Sequence, residues 1–340
     1  MNVNKDEKVK KAGICRLFCI FADMKKIFLS ILTIFLLLVV LMIAGSFYML
    51  SYSLTPENNK GRNITKMYAR LYQDHPDMKP WVDSLQQAHA FHDTIIVAQD
   101  GDRHAATWIP SSSGSHRVAF LIHGYTDSYV RMLPIARIYY QMGYNVFLPD
   151  LHGNGRSEGE AQQMGWKDRL DVEEWIPIAN TLFADSTGTT QMVLHGVSMG
   201  AATTMCISGD QTPSYVKCFV EDCGYTSVWD EFSEQLHEQF SLPDFPLLYT
   251  TSILCDIRYG WNFTEASPIE QVKKSTKPML FIHGSNDSFV PTRMVYPLYK
   301  AKSGIKELWV APGSKHARSQ SDHPEEYARK VEGFVSRFVH

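Results

Sequence analysis

One serine in this chain sits where it can be made nucleophilic. The run Gly196-Val197-Ser198-Met199-Gly200 follows the apolar stretch Met192 to His195 and leads into Ala201-Ala202-Thr203-Thr204. A serine on a sharp turn between a buried strand and a helix needs glycines two residues to either side, because Cβ atoms there would strike neighbouring backbone. Its hydroxyl attacks a carbonyl only when a base takes the proton. A histidine and an orienting carboxylate are therefore required further along, in the order Ser, Asp, His. Asp287, in His283-Gly284-Ser285-Asn286-Asp287-Ser288-Phe289-Val290-Pro291, follows one apolar run, and His316, in Gly313-Ser314-Lys315-His316-Ala317, follows the last. Ser198 as nucleophile, His316 as general base then general acid, and Asp287 as the group that fixes the imidazole tautomer form a set suited to acyl transfer.

The tetrahedral oxyanion of that chemistry needs two backbone N–H donors, each worth roughly 2.7 to 4 kcal/mol in the transition state. The expected pair is Met199, directly after the nucleophile, and Tyr125, in the loop His123-Gly124-Tyr125-Thr126-Asp127-Ser128. Of the 13 histidines, His123, His195 and His283 lie at strand ends beside glycine and suit turn-shaping roles, while His323 suits a helix cap. Asp222 is the rival acid, and Glu221 reads as structural. No HExxH, no clustered Cys or His ligand spacing and no P-loop occurs, so neither metal nor cofactor is implied.

These residues need a scaffold that brings strand ends together. Short apolar runs at Val118 to Ile122, Asn145 to Pro149, Met192 to His195, Val216 to Val220, Met279 to Ile282 and Leu308 to Val310 alternate with helix-length segments. Strands buried on both faces and separated by helices imply crossovers and a parallel sheet, whose carboxyl ends carry the site loops. Thr94 to Ala98 and His104 to Ile109 flank an Asp100-Gly101 step, so the sheet begins with an antiparallel hairpin. A closing helix is expected over Pro324 to Phe338. The interval between Glu221 and Pro278 is too long for a bare loop. Its aromatic-rich part, about 227–265, is assigned to a small helical cap, with only a minority of those aromatics facing substrate.

With these residues in place, the chain resembles an α/β-hydrolase superfamily serine hydrolase over about residues 90 to 340. The run Asp150-Leu151-His152-Gly153-Asn154-Gly155-Arg156-Ser157 resembles the family's Asp-x-Arg-Gly-x-Gly-x-Ser loop, with His152 where Arg is commoner. The chain is similar to the membrane-anchored or exported bacterial subset of serine-aminopeptidase-like and esterase/lipase type. The loop after Ile122 lacks the glycine-rich run of hormone-sensitive-lipase relatives, and serine at 198 departs from the aspartate nucleophile of dehalogenases and epoxide hydrolases.

The amino-terminal part is different in kind. Ile27 to Pro56 contains no charged residue, and the stretch 27–50 is long enough to cross a bilayer as a helix. The mean hydropathy of −0.20 averages this segment with a polar remainder. Ala44, Gly45 and Ser46 could imitate a signal-peptide cleavage site, but the apolar run is longer than a signal's core, which favours an uncleaved anchor. Seven Lys or Arg precede the helix, against Lys60 and Arg62 as the nearest after it. The expectation is a cytoplasmic segment 1–26, an anchor 27–50, a linker and lead-in helix over 51–90 and an extracytoplasmic (periplasmic or extracellular) hydrolase domain 91–340. Cys15 and Cys19 precede the anchor, and Cys206, Cys218, Cys223 and Cys255 read as core thiols, with a disulfide among them open. Asn63-Ile64-Thr65 and Asn262-Phe263-Thr264 are sequons that matter only in a glycosylating pathway.

Lys plus Arg number 33 against 36 Asp plus Glu, a net charge of −3, so no bulk field favours nucleic acid. The expected substrate is a small acyl or aryl ester (EC 3.1). A thioesterase or a peptidase (EC 3.4) on the same fold is the alternative, the latter with Glu231, Glu234 or Glu238 anchoring a substrate amine. A non-catalytic tethered binding module is the alternative of another class.

Overall fold

The structure, a computed structural model, describes residues 3–55, 63–99 and 101–340. The linker residues Pro56, Asn58, Asn59 and Gly61, the cations Lys60 and Arg62, the hairpin residue Asp100 and the side chains of Cys15 and Cys19 lie outside the described residues.

The chain opens with helix α1 (Val3–Leu54), longer at both ends than the span read from composition. From Asp23 to Leu54 it is the one helix among the described residues long and apolar enough to cross a membrane. Its side chains face no protein from Ile27 to Leu41 apart from a partial contact at Val39, whereas Ser46, Leu50 and Leu54 are buried. That four-residue spacing puts all three on one helix face, which the folded domain covers. Two further helices follow, α2 (Ile64–Asp74) and α3 (Met78–Gln87). Here the structure corrects the expected stalk: Met67, Leu71, Met78, Val82 and Leu85 are buried in the domain core. Both helices are amphipathic and meet the segment around Tyr129 and the helix that carries Tyr140, Tyr68 against Tyr129 and Trp81 against Tyr140.

The remaining elements alternate. They are β1 (His92–Val97), β2 (Arg103–Ile109), β3 (Arg117–Ile122), α4 (Leu133–Gln141), β4 (Asn145–Pro149), α5 (Asp168–Phe183), β5 (Gln191–Val197), α6 (Met199–Ser208) and β6 (Val216–Asp222). Helices α7 (Val228–Phe240), α8 (Leu247–Tyr259) and α9 (Pro268–Lys274) then precede β7 (Met279–Gly284), α10 (Val295–Ala301), β8 (Lys306–Ala311), α11 (Ser319–Asp322) and α12 (Pro324–Val335). The eight strands form one sheet in the order β1-β2-β4-β3-β5-β6-β7-β8. β2 pairs antiparallel with both β1 and β4, and every later pairing is parallel.

Strand alternation divides the core into two layers. In β3, Val118, Phe120 and Ile122 join the cluster that includes α5, α6 and the end of α1, while Ala119 and Leu121 join the one that includes α2, α3, α4 and α12. Each fully buried Val, Leu, Ile or Phe contributes about 1.5–3 kcal/mol of transfer free energy, which makes the sheet the rigid part of the molecule. The run from Asp150 to Ser157 serves that rigidity. Asp150 accepts from the Tyr129 amide at 2.9 Å and Arg156 Nε at 2.9 Å, and Arg156 continues to Asp93 of β1 at 2.6 Å. Cys206, Cys218, Cys223 and Cys255 are free, buried thiols.

Candidate active site

The fold delivers Ser198 from the end of β5, Asp287 from beyond β7 and His316 from beyond β8. Ser198 takes φ +57° and ψ −119°, a conformation that L residues avoid and that costs roughly 1–3 kcal/mol. The flanking glycines make it possible. A Cβ on Gly196 would lie 1.9 Å from the Gly200 carbonyl oxygen, and one on Gly200 would lie 2.1 Å from that of Ile122. The Ser198 amide is held by the Asp222 carbonyl at 2.8 Å.

Ser198 Oγ lies 2.8 Å from His316 Nε2, and His316 Nδ1 lies 2.8 Å from Asp287 Oδ2. The other Asp287 oxygen accepts the amides of Phe289 and Val290, both at 3.0 Å. The loops carrying acid and base are stitched together: Asn286 N–H donates to the Ser314 carbonyl at 2.9 Å, and Gly313 N–H to Ser285 Oγ at 2.7 Å. Burial pushes the Asp287 carboxyl up, but bonds from His283 and His316 outweigh it and hold the group below the usual carboxylate range.

His283 is the contributor that sequence reasoning passed over. Its Nε2 is 2.9 Å from the Val290 carbonyl and 3.4 Å from Asp287 Oδ2, the oxygen that also meets His316, so it is a second imidazole on the acid. Burial lowers its pKa, yet Asp287 and Glu221 together leave it raised. Asp222, the rival acid, accepts instead from the Tyr327 hydroxyl at 2.9 Å, and burial pushes its carboxyl up to about 6. Tyr327 in turn meets His195 Nε2 at 2.9 Å, and the Tyr139 hydroxyl meets His195 Nδ1 at 3.1 Å, a buried brace beneath the nucleophile strand. Glu221 accepts the Gly224 amide at 3.0 Å. His123 Nε2 accepts the Leu151 amide at 2.9 Å, and His323 Nε2 lies 2.7 Å from the Pro312 carbonyl.

Among the described residues, the Tyr125 and Met199 amides donate to no other backbone carbonyl outside the helices and strands. Gly124 brings the first of these loops against the nucleophile, where a Cβ would sit 3.3 Å from Ser198 Cβ. The Tyr125 hydroxyl donates to the Ser53 carbonyl of α1 at 2.7 Å, so the anchor-side helix is tied to this loop.

Two clefts meet at Ser198. One, of about 550 Å³, is mainly apolar and is lined by Met49, Tyr52 and Ser53 of α1 as well as by Phe232, Leu236, Phe240, Leu247, Leu248 and Phe263 from the cap interval. The other, of about 450 Å³, is the more polar of the two, with Arg70, His75, Arg131, His316 and Arg318 on its walls beside apolar residues such as Ile135 and Phe289. Of the cap aromatics, Trp229, Phe245, Tyr249 and Trp261 lie outside the apolar cleft. The share taken by α1 is not legible in the sequence, because a stretch that is apolar on every face from Ile27 onward carries no mark of where the folded domain begins to cover it. Glu231 also lines the apolar cleft. One oxygen accepts from Gln235 at 3.0 Å, the other has no partner, and burial pushes the carboxyl up to about 8. Glu234 instead pairs with Arg293 on the surface, and Glu238 is exposed.

Among the described residues, two groups bring potential metal-ligand atoms within 4.8 Å of one another, His104 with His152 and Asp171, and Cys223 with Asp287 and His316. The second is the acid and base already bonded to each other.

Comparison with known proteins places this geometry in context. Residues 132–340 match the sequence model of the prolyl oligopeptidase family. The chain is 27% identical over 63% of its length to the uncharacterized protein YqkD of Bacillus subtilis, covering 70% of that protein. It is 25% identical to the lysophosphatidylserine lipase ABHD12 of Danio rerio over 60% of this chain and 52% of the lipase. Among solved structures, the Pyrococcus furiosus esterase Pf2001 superposes with a TM-score of 0.57 at 23% identity, covering 73% of this chain and 92% of the esterase. Est1E of Butyrivibrio proteoclasticus, solved with ferulic acid bound, superposes with a TM-score of 0.55 at 17% identity, covering 72% and 98% of the two chains. At these identities the two structures speak for the fold, an α/β-hydrolase.

Proposed function

Because the chain belongs to the prolyl oligopeptidase family of α/β-hydrolases, we propose that it cleaves carboxylic esters through an acyl-enzyme on Ser198, tethered to a membrane by α1. The observation that carries this is the continuous hydrogen-bond line Ser198–His316–Asp287, with 2.8 Å at both steps, where an apolar and a polar cleft meet.

In that reading His316 Nε2 takes the Ser198 proton as Oγ attacks the ester carbonyl carbon. The developing oxyanion faces the amides of Tyr125 and Met199. Collapse breaks the bond to the leaving alcohol, which receives the proton from His316. Water then repeats the sequence and frees the acid. The apolar cleft suits an acyl chain and the polar cleft the departing alcohol.

Glu231 bears on the choice between ester and aminopeptide. It is the one of the three cap glutamates that lines the apolar cleft, so the peptidase alternative would use it to anchor an ammonium group. Burial pushes this carboxyl up to about 8, which disfavours a standing negative charge in the cleft and supports the ester reading. The likeness to ABHD12, a lysophosphatidylserine lipase, supports the same reading. The positive residues at the amino-terminal end of α1, up to Lys25 and Lys26, support a cytoplasmic amino terminus, with the hydrolase on the opposite side.

The test is a fluorophosphonate probe together with a panel of acyl esters, a thioester and aminoacyl amides. Labelling that vanishes in Ser198→Ala, with ester turnover exceeding amide turnover, is the expected outcome. Undiminished labelling of that variant, or a preference for the amides, would refute the assignment.

A further inference from the structure

The outer face of α8 is apolar where a water-facing helix would be charged. Phe245, just before it, and Tyr249, Ile253 and Ile257 along it are 73%, 49%, 59% and 78% exposed. Their four-residue spacing lines them on one side, and Leu242, 42% exposed, extends the patch into the α7–α8 turn. A contiguous exposed apolar patch of this kind marks a binding surface.

Its position says what covers it. Helix α8 runs against α1: a Cβ on Gly45 would touch Leu247 at 3.3 Å, and Ser46 Oγ meets Thr250 Oγ1 at 2.6 Å. Gly45 and Ser46 mark the level at which α1 passes from side chains that face no protein, such as Leu41 and Ile43, to side chains buried in the domain, such as Leu50 and Leu54. Phe245 and Leu242 therefore emerge beside the last lipid-facing turns of α1. Tyr48 and Tyr52 of α1 are exposed near the same level, in the manner of aromatic residues at a membrane boundary. The patch continues the hydrophobic surface of α1 and shares its solvent.

We propose that the tip of the cap is seated in the leaflet on the catalytic domain's side, and that single-chain acyl esters enter the catalytic cleft directly from that leaflet. The elements that meet lipid on the outside line the cleft on the inside: Met49 and Tyr52 from α1, Phe240 from α7, and Leu247 and Leu248 from α8. An acyl tail leaving the leaflet between α1 and the cap reaches Ser198 along apolar side chains, without the cost of crossing water. The proposal rests on α1 being a retained anchor and on the apolar cleft being the acyl site.

The experiment uses the full chain in dioleoylphosphatidylcholine vesicles. In Phe245→Trp, the emission added over the unaltered chain should be blue-shifted and quenched when the lipid acyl chains carry bromine. Added emission that bromolipid leaves unquenched overturns the seating, and is the result expected if a second protein or a second copy covers the patch. Carbonate washing of the same vesicles separates the two readings: chain that stays in the pellet keeps the anchor intact whatever the quenching shows, and chain that is released refutes the anchor itself. The route is tested with Phe245→Ser, Tyr249→Ser and Ile253→Ser combined. Hydrolysis of water-soluble 4-nitrophenyl butyrate should persist, while that of 4-nitrophenyl palmitate held in the vesicles falls on the order of tenfold. An unchanged ratio of the two rates overturns entry from the leaflet. Failure of the unaltered chain on butyrate would instead refute the ester reading.

Discussion

Ser198 holds a left-handed backbone angle that the molecule supports with two glycines and one hydrogen bond from its amide, and it is aimed at an imidazole held by Asp287. The residues of this line are legible in the sequence because each needs a particular neighbour: small residues around the nucleophile, a strand end before the acid, a strand end before the base. His283 was not legible as a brace for Asp287, since a histidine beside glycine at a strand end looks the same whether it shapes a turn or holds a carboxylate. The choice of Asp287 over Asp222 is testable at this scale. Asp287→Asn should lower kcat by about 10²- to 10⁴-fold, the range for losing the group that orients a catalytic imidazole. Asp222→Asn should retain turnover within several-fold and change stability instead. Burial raises the Asp222 pKa to about 6, so between the unfolded carboxyl value and pH 6 the unfolded state sheds its proton first. The native chain loses stability as pH rises through that window, by about 1.4 kcal/mol per pH unit from this group, and the Asn variant should lack that slope. Urea denaturation at a series of pH values reads it. A larger loss of kcat at Asp222 than at Asp287 would move the acid.

At the scale of elements, the sheet, its antiparallel opening, the helices between β6 and β7 and a lead-in helix follow from hydrophobic runs and their spacing, while the burial of the helices ahead of the sheet needed the structure. Composition marks α1 as apolar from Ile27 onward, but only packing distinguishes the turns at Ser46, Leu50 and Leu54 from those beyond the domain. The consequence is chemical as well as architectural. The Tyr125 hydroxyl reaches the Ser53 carbonyl at 2.7 Å, which makes the end of α1 a positioning element for the loop carrying the Tyr125 amide. Tyr125→Phe removes that bond and leaves the ring. Turnover of a soluble ester should fall by about tenfold, equivalent to 1.4 kcal/mol of transition-state stabilisation, with KM little changed. A rise in KM at constant kcat would mean that the hydroxyl serves substrate binding and not the geometry of the loop.

For the whole molecule, the contrast between one very apolar helix and a polar remainder resolves into a hydrolase domain that incorporates the end of that helix. The strand ends of a rigid sheet converge on Ser198, α1 and the cap close an apolar cleft over it, and a polar cleft opens on the other side. Near-neutral overall charge fits a site that selects by an apolar tail. The boundary between linker and domain was read too late in the chain, because α2 and α3 are polar on average and betray their buried faces only by helical spacing. All of this converges on acyl transfer to one side chain. The most direct measurement is rapid quenching of the full chain with a 4-nitrophenyl ester, followed by mass analysis of the peptide that carries Ser198. A burst of nitrophenol matched by an acyl increment on Ser198, which persists longer in His316→Ala, is the predicted result; steady turnover with Ser198 unmodified, or retained in Ser198→Ala, would contradict it.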